Sequence, residues 1–163
     1  MILIILGGIG FFVIDDIVTK MKMGNLKKIN FHSKIVIFFY SIVLLITALL
    51  IYLFEKNLSI MDALFSSVTL RTAGFYTIDF NELSISSKII SIIAMFIGGA
   101  PGSTSGGIRI VVFAIVVLTT ISILKNQKEV IIFNRKIETD FIKRAIALII
   151  ISIVIILTGI LLL

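Results

Sequence analysis

"IGGAPGSTSGGIR", Ile97–Arg109, lies inside the longest apolar tract of the chain, Ile89 to Leu124. Five of its thirteen residues are glycine, and Pro101 is the only proline among 163 residues. The tract has thirty-six residues, which as one straight helix would measure about 54 Å. Tilt does not fit that length into a hydrocarbon core of about 30 Å. Glycine costs about 1 kcal/mol in a helix interior and proline about 3. The tract is therefore expected to break between Gly98 and Gly107. Backbone groups freed inside a membrane are tolerated only where they are buried in protein or line a wet cavity. The stretch is expected to line a path, with the small polar Ser103, Thr104 and Ser105 available to bond the freed backbone.

The rest of the sequence makes lipid the solvent. Hydrophobic residues are 59% of the chain and the mean hydropathy is +1.21, against roughly 45–50% apolar in a soluble domain. In lipid the backbone must satisfy itself, so the fold class is all-α integral membrane. There is no cysteine, which excludes disulfides and thiolate metal sites, and the single histidine, His32, makes no cluster. The net charge of +6 does not point to nucleic acid, because the charges sit in short loops between apolar runs.

Three further apolar tracts stand beside Ile89–Leu124: Met1 to about Val18, Ile35 to Phe54, and Ala145 to Leu163. The first has no basic leader or small-residue cleavage site, so it is not a signal peptide. Its uncharged part, Met1 to Ile14, reaches only about 21 Å as helix. It reads as the inner end of a helix, and the chain is expected to be a fragment. The segment Lys20–Lys34 carries five lysines and no acid. Lys125–Arg144 is also rich in Lys and Arg, whereas Glu55–Lys88 is balanced. The two basic loops are expected in the cytoplasm and the balanced one outside. Asp15 and Asp16 are expected at the interface, and His32 in a solvated loop.

The external stretch "SIMDALFSSVTLRTAGFYT", Ser59–Thr77, holds a second signal. Ser59 followed by Asp62 suits a helix start. The helix runs about ten residues, too short to span, and leads to Thr72-Ala73-Gly74-Phe75. A half-length helix and a small-residue turn between two spanning helices describe a re-entrant pore loop. The helix C-terminus carries about half a negative charge, which favours a cation, and turn carbonyls can replace an ion's water. An external amphipathic helix with a simple turn at Gly74 is the alternative.

Together, "TLRTAGF" and the interrupted "GGAPGSTSGGI" resemble the Trk/Ktr/HKT superfamily of potassium transporters, most of all the membrane subunit of the bacterial Ktr and Trk systems. The resemblance implies four repeats of helix, pore loop and helix, each supplying one filter strand. Residues 35–124 are then the third pore repeat, with a helix at 35–54, a pore helix at 60–70, a filter at 71–75 and a broken helix at 88–124. Residues 1–24 end the last helix of the preceding repeat, where the family shows a motif like Gly7–Phe11, "GGIGF". Residues 25–34 and 125–142 are cytoplasmic loops, and 143–163 the first helix of the next repeat. Carried over by position, Thr72, Ala73, Gly74 and Phe75 form the filter strand, with K⁺ held by the carbonyls of Thr72, Ala73 and Gly74. Gly98, Gly99, Ala100, Pro101, Gly102, Ser103, Thr104, Ser105, Gly106 and Gly107 form a gate loop beneath it, and Arg109 is a gate-associated charge. Arg109 stands where the family commonly has Lys, Ser105 where it often has Ala, and Tyr76 where it often has Asn.

The implied function is potassium uptake across the bacterial plasma membrane by a multi-pass, channel-like transporter. No cofactor is bound covalently; K⁺ is the transported ion and Na⁺ a candidate coupling ion. Implied partners are membrane lipid, the other repeats of the transporter, a second full-length chain in a homodimer, and a cytoplasmic nucleotide-binding ring subunit. A non-conducting membrane subunit or interaction module is the alternative function. No enzyme is expected. "GGAPGSTSGG" lacks the lysine of a phosphate-binding loop, and Gly102–Gly106 places serine second and fourth rather than third for a nucleophile elbow. Arg71 is expected to pair with Asp62 or Asp79, or else to sit as a fixed charge at the mouth. Arg109 is expected either to face the cavity or to snorkel towards the cytoplasm.

Overall fold

Gly10 breaks the first apolar tract. Its φ of 84° lies where only glycine is comfortable, and helix α1 (Ile2–Ile9) meets helix α2 (Phe11–Lys22) at a bend of 98°. The straight helix end expected over this tract is thus two short helices. The computed structural model describes residues 1–24, 29–55, 58–71, 73–75, 78–126, 130–132 and 135–162. Met1–Ile110 and Val111–Leu163 are two compact units.

In the first unit, α3 spans Phe31–Phe54, 24 residues or about 36 Å, long and apolar enough to cross a membrane. It starts four residues before the expected Ile35, and the reason lies in α2. Asp16, expected at the interface, is buried at 7% exposure. Its carboxylate accepts from the Asn30 backbone N–H and the Asn30 Nδ2, both at 2.8 Å, and from the Ser33 hydroxyl at 2.7 Å. An acid borrowed from another helix caps the N-terminus of α3, where its charge also complements the helix dipole. His32, expected in a solvated loop, consequently sits half-buried in the first turn of α3.

Helix α4 (Ile60–Thr69) is short and capped by Ser59, whose hydroxyl accepts from the Met61 N–H at 3.2 Å. The Ser67 hydroxyl donates to the Leu44 carbonyl at 2.7 Å, tying α4 to the middle of α3. Ile51, Ala63, Leu70 and Ala94 form a core shared by α3, α4 and the next helix, α5 (Ile85–Phe96). Helix α5 begins three residues before the expected residue 88. The Ser84 hydroxyl caps it by accepting from the Ser87 N–H at 3.2 Å, and the Ser84 N–H donates to Glu55 Oε1 at 2.7 Å. That bond pins the end of α3 to the start of α5.

Helix α6 (Ile110–Leu124) lies in the second unit from Val111 onward. Within the loop expected at 125–142, strand β1 (Ile131–Ile132) pairs antiparallel with strand β2 (Arg135–Lys136). Helix α7 (Thr139–Leu161) starts four residues before the expected residue 143, with Asp140 favourable in its first turn. Among the described residues, α3 and α7 can cross a membrane, and the bent α1–α2 pair is a third span if taken as one.

Candidate functional site

Helix α5 ends at Phe96 and α6 starts at Ile110, and the residues between them form a closed loop. Its neck is a parallel bridge between Ile97 and Ile108. The Gly98 N–H donates to the Ile108 carbonyl at 2.9 Å, Ile108 N–H to Phe96 at 2.9 Å, and Ile110 N–H to Gly99 at 3.0 Å. The neck requires glycine, because a Cβ on Gly98 would overlap the Gly106 carbonyl oxygen. Gly107 has φ 79° and lies against the Met95 and Phe96 carbonyls. The break that composition demands is therefore a stitched structure rather than an open backbone.

Two further backbone groups of the loop find partners outside it. The Ala100 N–H donates to the Gly8 carbonyl at 3.0 Å, and the Phe11 N–H donates to Gly102 at 3.3 Å. The Phe12 ring covers Gly102 so closely that a Cβ there would come within 2.6 Å of it. The bend at Gly10 and the loop of residues 98–107 thus grip each other. Arg109 is exposed, and its Nη1 donates back to the Ala100 carbonyl at 3.2 Å, along the loop's own backbone.

The turn that follows α4 lies against this loop. Leu70 caps the helix, and the Ala73 N–H donates to the Thr69 carbonyl at 3.1 Å. Gly74 has φ 76°, and among the described residues nothing lies within 4 Å of where its Cβ would be. Glycine is needed there for conformation. Gly74 and Phe75 border a cavity of about 400 Å³ also lined by Ser66 and Thr69. Thr72 and Tyr76, both singled out in the sequence, lie outside the described residues.

A buried bond joins turn and loop: the Ser105 hydroxyl donates to the Arg71 backbone carbonyl at 3.0 Å. The Arg71 side chain is buried at 4% exposure, and its guanidinium lies over the Tyr40 ring. It is therefore not the fixed charge at an open mouth that was one expectation. Asp79 has another role: its Oδ1 accepts from the Asn81 N–H at 3.0 Å. Tyr40, Gly8 and Asp16 escaped sequence reasoning as supports of this region. An acid beside an apolar tract is costly unless it is bonded, and that signal alone could have marked Asp16. Among the described residues no three His, Asp or Glu side chains form a metal cluster.

Against known proteins, the TrkH family profile, described as a cation transport protein, matches residues 1–163. The chain belongs to the TrkH family. Within it, the sequence is 33% identical to the Ktr system potassium uptake protein B of Bacillus subtilis over 169 aligned positions, covering 97% of this chain and 37% of that protein. It is 33% identical to the potassium/sodium uptake protein NtpJ of Enterococcus hirae, covering 90% of this chain and 34% of the other. The solved structure of the potassium transporter TrkH from Vibrio parahaemolyticus shares the fold, with a TM-score of 0.59 at 23% identity. The match covers 77% of this chain and 28% of that one. This TrkH-family chain spans about a third of the length of the relatives it matches. The family is one of membrane transporters, so the chain is a multi-pass membrane protein and not an enzyme.

Proposed function

We propose that this chain forms one pore repeat of a potassium-uptake transporter. Residues 35–124 are the third of four repeats, and Thr72, Ala73, Gly74 and Phe75 line one wall of a fourfold pseudo-symmetric filter. The carbonyls of Thr72, Ala73 and Gly74 replace the water of a K⁺ ion, and the C-terminal end of α4 adds its partial negative charge. Residues 98–107 form the gate beneath, with Arg109 holding the loop through the Ala100 carbonyl. One observation carries this reading: a capped half-length helix ends in a left-handed glycine turn that is bonded from below by an interrupted membrane helix. The potassium uptake proteins among its relatives support the choice of ion.

The transporter works in the bacterial plasma membrane as a homodimer, with a nucleotide-binding ring on its cytoplasmic basic loops and Na⁺ as coupling ion. The test is expression from the full native reading frame in a strain lacking potassium uptake. Uptake with K⁺ preferred over Na⁺ is expected. Gly74→Ser should cut that preference by about tenfold, equivalent to about 1.4 kcal/mol. Absence of uptake from a properly inserted protein would favour the non-conducting subunit. Unchanged ion competition in Gly74→Ser would remove Gly74 from the filter.

A further inference from the structure

The hydrogen bond from Ser105 to Arg71 bridges 34 residues of sequence and joins the two parts of the site that the proposed function treats separately. Arg71 directly precedes Thr72, so its carbonyl belongs to the peptide that opens the turn. The Arg71 side chain is anchored elsewhere, with its guanidinium 4.3 Å from the Tyr40 ring centre. Its N–H is also engaged, donating to the Val68 carbonyl at 3.4 Å. The Ser105 hydroxyl adds a further tie, because a hydroxyl donor holds the carbonyl oxygen towards itself. That oxygen is thereby turned towards the loop.

Ser105 itself is placed by the loop. It is 9% exposed, and its N–H lies 3.4 Å from the Ser103 hydroxyl, between the two anchor points of the loop at Ala100 and Gly102 and the neck at Gly107. Ser105 cannot stay on the Arg71 carbonyl if this loop moves as a body. A buried carbonyl that loses a donor is less well satisfied in a low-dielectric surrounding. A dehydrated cation within reach would then attract it.

Building on the proposed function, we propose that Ser105 is a positioning residue that couples the loop to the turn. With the loop in place, the Arg71 carbonyl is held towards the loop; with the loop displaced, it becomes a further oxygen ligand at the Arg71 end of the turn. The ion preference of the turn then depends on the position of the loop.

The experiment uses the full native reading frame in the same uptake-deficient strain. It measures the KM for K⁺ and the inhibition constant of Na⁺ for wild type, Ser105→Ala, Ser105→Thr and Gly74→Ser, with the protein in the membrane quantified for each. Loss of one neutral hydrogen bond should move the Na⁺-to-K⁺ ratio in Ser105→Ala by about fivefold. Ser105→Thr, which keeps the hydroxyl, should return the ratio to that of wild type. A purely structural serine would change abundance and leave the ratio alone. The proposal is overturned if Ser105→Ala leaves the ratio unchanged while Gly74→Ser shifts it, and the filter reading then survives. It is overturned together with that reading if neither variant shifts the ratio. It is also overturned if Ser105→Thr behaves as Ser105→Ala. Where Ser105→Ala reduces the protein in the membrane, Ser105→Cys keeps the volume, weakens the donor and serves the same comparison.

Discussion

The guanidinium carbon of Arg71 sits 4.3 Å from the centre of the Tyr40 ring, and both residues are buried. A cation held on an aromatic face in a desolvated site gains about 2 kcal/mol. The Tyr40 hydroxyl has no hydrogen-bond partner among the described residues. The ring, then, is the useful part of this side chain. Tyr40→Phe should keep the unfolding free energy of the detergent-solubilised protein within about 1 kcal/mol of wild type. Tyr40→Leu should cost about 2 kcal/mol or more through the lost ring. Equal damage in both variants would show that the hydroxyl is used.

Asp16 and Asp15 are adjacent, yet they should behave as opposites. Asp16 accepts three hydrogen bonds at the start of α3, and Asp15 is exposed. Asp16→Ala strands those donors and should destabilise by about 3 kcal/mol. Asp15→Ala should stay within about 0.5 kcal/mol. Thermal unfolding of the two variants side by side checks this, and similar curves would contradict the cap.

Glu55 gives a pH dependence. The Ser84 N–H holds its carboxyl below the ordinary value of 4.5, because the bond favours the charged form. A depressed carboxylate contributes stability fully above its ordinary value, and that contribution fades as pH falls through the lower folded value. The unfolding midpoints of wild type and Glu55→Gln should therefore differ near neutral pH and converge on acidification below 4.5. A difference that grows in acid would reverse the assignment. The carboxylate is largely open to water, so the effect is small.

The two glycine turns fail in different ways. A Cβ on Gly98 would overlap the backbone of Gly106, which cannot step aside, whereas a Cβ on Gly74 meets none of the described residues and only a strained φ of 76°. Gly98→Ala should cost about 3 kcal/mol, and Gly74→Ala about 1–2 kcal/mol. Comparable yields and melting temperatures for the two would mean that the loop neck is looser than its hydrogen bonds imply.

The spans and the break were legible in the sequence because they rest on composition. Thirty-six apolar residues in one tract cannot form one span, and the glycines around Pro101 show where it breaks. Ser59 announced α4 for an equally local reason. What the sequence hid was non-local. The early start of α3 depends on an acid from α2, and the early start of α5 on Ser84, Ser87 and Glu55. No periodicity shows that Tyr40 lies under Arg71, because the pairing joins residues of separate elements. The bend at Gly10 was missed because its apolar neighbours read as one short helix, although "GGIGF" contains the glycine that turns it.

The loop of residues 98–107 is moored to Gly8 and Phe11, far upstream of the helix pair that carries it. A cassette cut at residue 35 and transplanted into a relative would contain the turn and the loop but leave the moorings behind. Its loop would dock on whatever the recipient offers at the bend. Chimeras between relatives should therefore be joined before Gly8, and sequence changes at Gly8, Gly10 or Phe12 should be matched by changes around Ala100 and Gly102. Heredity would treat the bend and the loop as one part, although the chain makes them separately.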